Sequence, residues 1–239
     1  MSRIVYVNGS YLSEEDAKIS VLDRAFLFGD AVYEVTAVLD GRLIDFAPHL
    51  ERLHRSLKEI ALASPLSDAD LRALHEELVR RNDVAEGIVY LQISRGAADR
   101  DFAYPEDASP TVVAFTQSRP LIDNPYAETG VKVVTIPDLR WKRRDIKSTS
   151  MLAQAMGKQE AKRRGAYEAW MVENGHITEG TSSTAFIFDA QGVIRTQPLG
   201  HHILPGVTRR ALLRLAAFEG APIEERPFSV AEALSAREA

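Results

Sequence analysis

Apolar residues recur along the first half of the chain at two spacings, alternate positions and helical steps, and the switches between them predict the elements. Residues 5–7 and 11–12 are apolar and flank Asn8-Gly9, the pattern of a tight hairpin. A second hairpin is expected from residues 32–39 and 42–46, turned at Asp40-Gly41. Pro48 opens a helix carrying Leu50, Leu53, Leu57 and Ile60 on one face. Ser67 is a plausible N-cap for another, with Leu71, Leu74, Leu78 and Val79. Strands follow at 87–94 and 111–116. Periodicity then fades through Pro120, Asn124-Pro125 and Gly130, which reads as a linker.

The second half opens with a strand at 131–136, an arginine-rich turn, and a helix over about 150–164. A hairpin over 169–177 turns at Asn174-Gly175, and residues 184–188 and 193–196 form a further strand pair. A helix over 206–218 has Gly220 as its C-terminal stop, and Ser229 with Glu232 forms a capping box. The expectation is an α+β fold with three parts. Residues 1–116 are expected to form a small α/β domain, 117–130 an interdomain linker, and 131–239 a second domain.

The composition fits a globular protein, with 45% hydrophobic and 26% charged residues. There is no cysteine, so thiolate metal sites, disulfides and cysteine nucleophiles are excluded. A net charge of −5 argues against a nucleic-acid partner. The first residues lack an apolar signal core, and no apolar run is long enough for a bilayer, so a cytoplasmic location and no membrane partner are expected. Neither a dinucleotide glycine fingerprint nor a P-loop is present.

Four segments carry candidate chemistry. Lys147 lies just after Arg140, Lys142, Arg143 and Arg144. Such a run is either a solvated basic turn or a cationic setting that lowers the pKa of a Schiff-base lysine. Thr178-Glu179-Gly180-Thr181-Ser182-Ser183 puts one carboxylate in a hydroxyl-rich turn. It is either a turn residue or a partner for a protonated pyridine nitrogen. Leu204-Pro205-Gly206-Val207-Thr208 opens a helix, either as an ordinary start or as a phosphate cup of backbone amides and hydroxyl. Phe28-Gly29-Asp30-Ala31-Val32-Tyr33-Glu34 begins a buried strand at a tight bend, with Tyr33 either facing a pocket or filling the core.

In this order the segments resemble the fold-type IV, pyridoxal 5′-phosphate (PLP) dependent enzymes, the class IV aminotransferases, and most closely the D-amino-acid aminotransferases. The resemblance runs from about residue 3 to the chain end, and it implies an α+β fold of two domains in which the second, 131–239, is the larger, β-rich, barrel-like and PLP-binding one. It implies that Lys147 forms the Schiff base and shuttles the proton, and that Glu179 pairs with the pyridine nitrogen. It also implies that Arg52, Val207 and Thr208 hold the phosphate, that Leu204 packs on the ring and that Ser183 supports the site. Tyr33, Arg100 and Phe102 would line the substrate pocket.

The family's Arg-x-His pair for the substrate carboxylate appears here as Arg100 and Phe102, with one hydrogen-bond donor lost. The family pattern also continues beyond Ala239, so the second domain is expected to lack that segment. The implied reaction is ping-pong transamination between a D-amino acid, such as D-alanine or D-glutamate, and 2-oxoglutarate or pyruvate, in a homodimer with the cofactor between the domains. Alternatives are an (R)-amine transaminase or a branched-chain L-amino-acid aminotransferase, and beyond these an aminodeoxychorismate lyase or a non-catalytic PLP-binding homologue.

Overall fold

The structure is a computed structural model that describes residues 2–239. The chain divides into two compact units. One comprises residues up to Asn124 together with Ile146–Ser150, and the other comprises Pro125–Asp145 and Met151–Ala239.

In the first unit the elements run β1 (Ile4–Val7), β2 (Ser10–Ser13), α1 (Arg24–Phe28), β3 (Ala31–Leu39), β4 (Arg42–Leu43), α2 (Phe46–Glu59), α3 (Asp68–Arg81), β5 (Gly87–Ser94) and β6 (Thr111–Ser118). The strands form one six-stranded sheet in the order β2-β1-β6-β5-β3-β4, antiparallel throughout. Both predicted hairpins are present. Their turn residues, Asn8-Gly9 and Asp40-Gly41, all have positive φ, which Asn, Asp and Gly tolerate best.

Alternation along β3 sends Val32, Glu34, Thr36 and Val38 into the core. There Phe46, Leu53 and Leu57 of α2 and Leu71, Leu74 and Leu78 of α3 cover the sheet. On its other face Tyr33, Tyr90 and Phe115 stack across β3, β5 and β6, with ring centroids 5.5 and 4.8 Å apart.

Three details differ from the sequence expectation. Phe46 begins α2 rather than ending a strand, so the helix starts two residues before Pro48. Proline is acceptable in that first turn, where its missing N–H would have had no helical partner. The strand β6 runs to Ser118, and α1 was not foreseen. Five residues are too few for a helical period, and α1 depends instead on its ends. Asp23 accepts the Ala25 N–H, and Gly29 closes the helix at φ 67°, where an added Cβ would lie 2.5 Å from Ser150 Oγ.

The second unit contains β7 (Val133–Pro137), α4 (Leu152–Arg163), β8 (Glu168–Glu173), β9 (His176–Gly180), β10 (Phe186–Phe188), β11 (Ile194–Thr196), α5 (Val207–Phe218), β12 (Ile223–Glu225) and α6 (Val230–Ser235). Six strands make two three-stranded sheets, β7-β8-β9 and β10-β11-β12. Each contains one parallel pair, β7 with β8 and β11 with β12, and each pair is joined by a helix, as a parallel crossover requires. The short β12 carried no readable pattern. Trp170, Ile177, Ala185, Ile187 and Phe228 form the core of this unit. Ser229 and Glu232 close the capping box of α6 in both directions.

Among the described residues no helix is long and apolar enough to cross a membrane. Nor is any group of three or more His, Asp or Glu residues placed to hold a metal ion.

His75 of α3 is fully buried, with Nδ1 2.7 Å from the Leu71 carbonyl oxygen and its ring edge-on to Phe46. Burial pushes its pKa from 6.5 down to about 4. The unfolded chain therefore takes up a proton that the folded chain refuses, and stability falls as pH drops from 6.5 toward 4. Between pH 7 and 4.5 the parent should lose on the order of 2 kcal/mol more stability than His75→Gln, measured by denaturant unfolding. Equal losses in both proteins would remove His75 from the acid response.

Candidate active site

In the first unit, Lys147 is tied to the start of β3. Tyr33 N–H donates to the Lys147 carbonyl at 3.0 Å, Thr149 N–H donates to Ala31 at 3.0 Å, and Ser148 bridges Val32. These bonds hold the lysine beside the buried strand, and its Nζ lies 4.1 Å from the centroid of the half-buried Tyr33 ring.

On the core side of β3, Glu34 is 2% exposed. It accepts a two-pronged contact from Arg52, Nε at 2.8 Å and Nη2 at 2.7 Å, and a third from His49 Nδ1 at 2.7 Å. His49 and Arg52 are three apart on α2 and so share a face. Burial works to raise the Glu34 carboxyl, but the hydrogen bonds from Arg52 and His49 outweigh it, and the positive charges of Arg52 and Lys147 help. The group is held below the usual carboxylate range. Arg52 is thus a buried residue paired across elements rather than a surface pair with a helical neighbour. The sequence signal was available: His49 and Arg52 share the stripe of α2 that carries Leu53 and Leu57.

Arg24, also buried, braces the loop bearing Arg100 and Phe102. It donates to Asp30 at 2.7 Å and to the carbonyls of Asp101 and Ala103 at 2.7 and 3.2 Å. Arg95 grips Asp30 as well, at 2.8 Å. Arg100 is exposed, its guanidinium 5.4 Å from the centroids of both Phe28 and Phe102, and Phe102 is 78% exposed.

In the second unit Glu179 is buried near the end of β9. The register of β8 with β9 shifts there: Trp170 pairs with Gly180 and Val172 with Ile177, so β9 carries one extra residue over this stretch. Such a bulge re-aims side chains, and both Thr178 and Glu179 are buried. Glu179 accepts the Leu204 N–H at 3.0 Å and a short hydrogen bond from Arg140. Asp138 holds Arg140 through Nε at 3.0 Å and Nη2 at 2.7 Å, and accepts from Thr178 Oγ1 at 2.6 Å. Burial raises the Glu179 pKa, and Arg140 opposes the rise.

The arginine-rich turn is largely an ion-paired one. Arg140 serves Asp138 and Glu179, Lys142 and Arg144 serve Glu173, and Arg143 serves Asp145. The positive charges are met by carboxylates within their own unit. Sequence proximity to Lys147 concealed part of this, because Glu173 and Glu179 lie far away along the chain.

The helix α5 starts at Gly206, which offers no side-chain cap, so first-turn amides such as those of Val207 and Thr208 have no partner inside the helix. A Cβ at Gly206 would lie 2.9 Å from Thr184 Oγ1. Val207 is buried, Thr208 exposed and Leu204 half-buried. Ser183 is exposed and donates to Glu168 at 3.4 Å. A PLP molecule needs an amine for its aldehyde, an anion for its ring nitrogen and donors for its phosphate. Lys147, the buried Glu179, and the Arg52 guanidinium with the open start of α5 fit those needs in kind.

A family model described as amino-transferase class IV matches residues 31–239. The D-alanine aminotransferase of Staphylococcus epidermidis is 39% identical over 229 residues, 95% of this chain and 80% of that protein. That of Bacillus licheniformis is 37% identical over 236 residues, 98% of this chain and 82% of that protein. Among solved structures, the Escherichia coli branched-chain amino acid aminotransferase superposes with a TM-score of 0.91 at 24% identity, a likeness of fold. It covers 99% of this chain and 81% of that one. A PLP-bound hypothetical aminotransferase from Mycobacterium tuberculosis has a TM-score of 0.85 at 26% identity, covering 98% and 84%. The chain thus belongs to the class IV aminotransferases, PLP-dependent transaminases of fold type IV.

Proposed function

We propose that the enzyme moves an amino group between a D-amino acid, such as D-alanine or D-glutamate, and a 2-oxo acid such as 2-oxoglutarate or pyruvate. The D-alanine aminotransferases that resemble it over nearly its whole length support the substrate class. The observation that carries the chemistry is Glu179, a buried carboxyl that accepts from Arg140 and from the Leu204 N–H, an arrangement that supports it as the partner of the cofactor's ring nitrogen. When bound, PLP supplies the electron sink for the electrons released at the substrate Cα.

The chain's own groups do the rest. The Lys147 amine would carry the proton between the substrate Cα and the cofactor's C4′ carbon. Arg52, the Val207 amide and Thr208 hold the phosphate, Leu204 packs on the ring, and Ser183 supports the turn after Glu179. Tyr33 lines the substrate pocket. Arg100 grips the substrate carboxylate, and Phe102 adds apolar surface without a second donor. We further read the enzyme as a cytoplasmic homodimer with no nucleic-acid or membrane partner.

Phe102 favours a second reading to be tested beside the first, in which a substrate without a carboxylate, an (R)-amine, is accepted. Adding D-alanine, an (R)-amine or L-leucine to the PLP-loaded protein and following its visible spectrum separates them. Conversion by D-alanine supports the proposal, and conversion by only one of the others overturns the substrate class.

Lys147→Ala should reduce transamination of D-alanine at least about a thousandfold, and a variant within tenfold of the parent would end the assignment of Lys147. In Arg140→Gln, the raising effect of burial on Glu179 loses its main opponent. Because the working form is the carboxylate, the acid limb of the pH–rate profile should move to higher pH, with roughly tenfold lower kcat near neutrality. An unmoved acid limb would separate Arg140 from the ionisation of Glu179.

A further inference from the structure

Thr181, Ser182 and Ser183 follow Glu179-Gly180, and all three hydroxyls donate to one carboxylate, Glu168 at the start of β8. Thr181 does so through a short bond, Ser182 at 3.1 Å and Ser183 at 3.4 Å. The Ala169 N–H adds a fourth contact at 2.8 Å, and Lys158 of α4 stands 3.7 Å away. Consecutive side chains of an extended strand point to opposite faces, so three in a row reach one carboxylate only if the chain wraps around it. It does: residues 181–183 bend, the Gly180 N–H donates to the Ser183 carbonyl at 2.9 Å, and the Thr181 N–H donates to Ala169 at 3.1 Å. With no Cβ, Gly180 leaves the space in which the Ser183 hydroxyl turns toward Glu168.

We propose that Glu168 is a positioning residue for Glu179: by gathering these hydroxyls it anchors β9 just past the bulge and so fixes where the Glu179 carboxylate points. The bulge gives β9 an extra residue, and regular pairing ends at Gly180, so the ladder alone leaves the direction of Glu179 to whatever holds the turn behind it. The other side of the seat is Arg140 with Asp138, and Leu204 N–H closes it. Glu168 is almost fully buried, and an acid in that position is retained only with its oxygens filled by donors, as they are here. The inference rests on the role proposed for Glu179.

The test compares Glu168→Ala, Glu168→Gln and Thr181→Val with the parent by two readouts. The first is amide hydrogen exchange of the cofactor-free proteins. The second is kcat and KM of the loaded enzymes for D-alanine and 2-oxoglutarate. In Glu168→Ala the segment 178–184 should exchange at least about tenfold faster, with β3 and β5 unchanged, and kcat should fall about tenfold while both KM values stay within twofold. Glu168→Gln, whose carbonyl still accepts from hydroxyls, should recover most of both effects, and Thr181→Val should show a smaller change in the same direction. Unchanged exchange overturns the proposal, and so does faster exchange with parental kcat, which makes Glu168 a purely structural residue. If Glu168→Ala does not fold, the other two variants decide on the same criteria. A parent that exchanges normally but transaminates nothing refutes the proposed function, while the exchange comparison still judges the hold of Glu168 on the turn.

Discussion

Carboxylates taken out of water dictate much of the local arrangement in both units. An ion leaving water loses several kcal/mol of solvation, which returns only through close charged partners and filled lone pairs. Glu34 meets that demand with Arg52 and His49, Asp30 with Arg24 and Arg95, Asp138 with Arg140 and Thr178, and Glu168 with three hydroxyls. Each acid sits on a strand or next to one, and its partners come from a different element. The pairs therefore act as register marks. They fix which turn of α2 faces β3, which loop lies on Asp30, and how the chain leaves β9.

Glu34 and Glu179 use the same device to different ends. Donors to Glu34 overcome burial and hold its pKa down, so it is a permanent anion that orients Arg52. For Glu179 burial prevails over Arg140 and the pKa is raised, which leaves it responsive to its surroundings. A permanent anion suits a structural clamp. A carboxylate poised by opposing influences suits a group whose partner is a ring nitrogen that must itself stay protonated.

Local chemistry made most of the fold readable. Asn8-Gly9, Asp40-Gly41 and Asn174-Gly175 each announce a turn that needs left-handed backbone, and each delivers it. The long helices were legible because an apolar stripe must repeat to cover a sheet. The failures share a cause, which is length or distance. The helix α1 and the strand β12 are too short for a period to repeat, and the start of α2 depends on Asp45 taking a left-handed conformation that the residue permits without requiring. The candidate site was legible as an ordered set of segments, from Tyr33 and Arg52 to Thr208. Its charge logic was not. The arginines after Asp138 look like a setting for Lys147 because they are close in sequence, whereas their carboxylates at 173 and 179 become neighbours only when β8 and β9 pair beside β7.

A shared fold fixes what can be done with a cofactor better than it fixes which substrate is used. The segments that carry Lys147, Glu179 and Val207 belong to the shared fold, while Arg100 and Phe102 sit on a loop between β5 and β6. That loop is tied down at its base, where Arg24 links two of its carbonyls to the half-buried Asp30, and open at its tip, where Phe102 is largely exposed. A firm base with an exposed tip lets residues change at the tip without disturbing the ion pairs below. In the proposed function, Phe102 in place of a hydrogen-bonding side chain is that kind of change: it would alter what the loop recognises, while the interactions that keep Arg24, Asp30 and Arg95 in place lie below it.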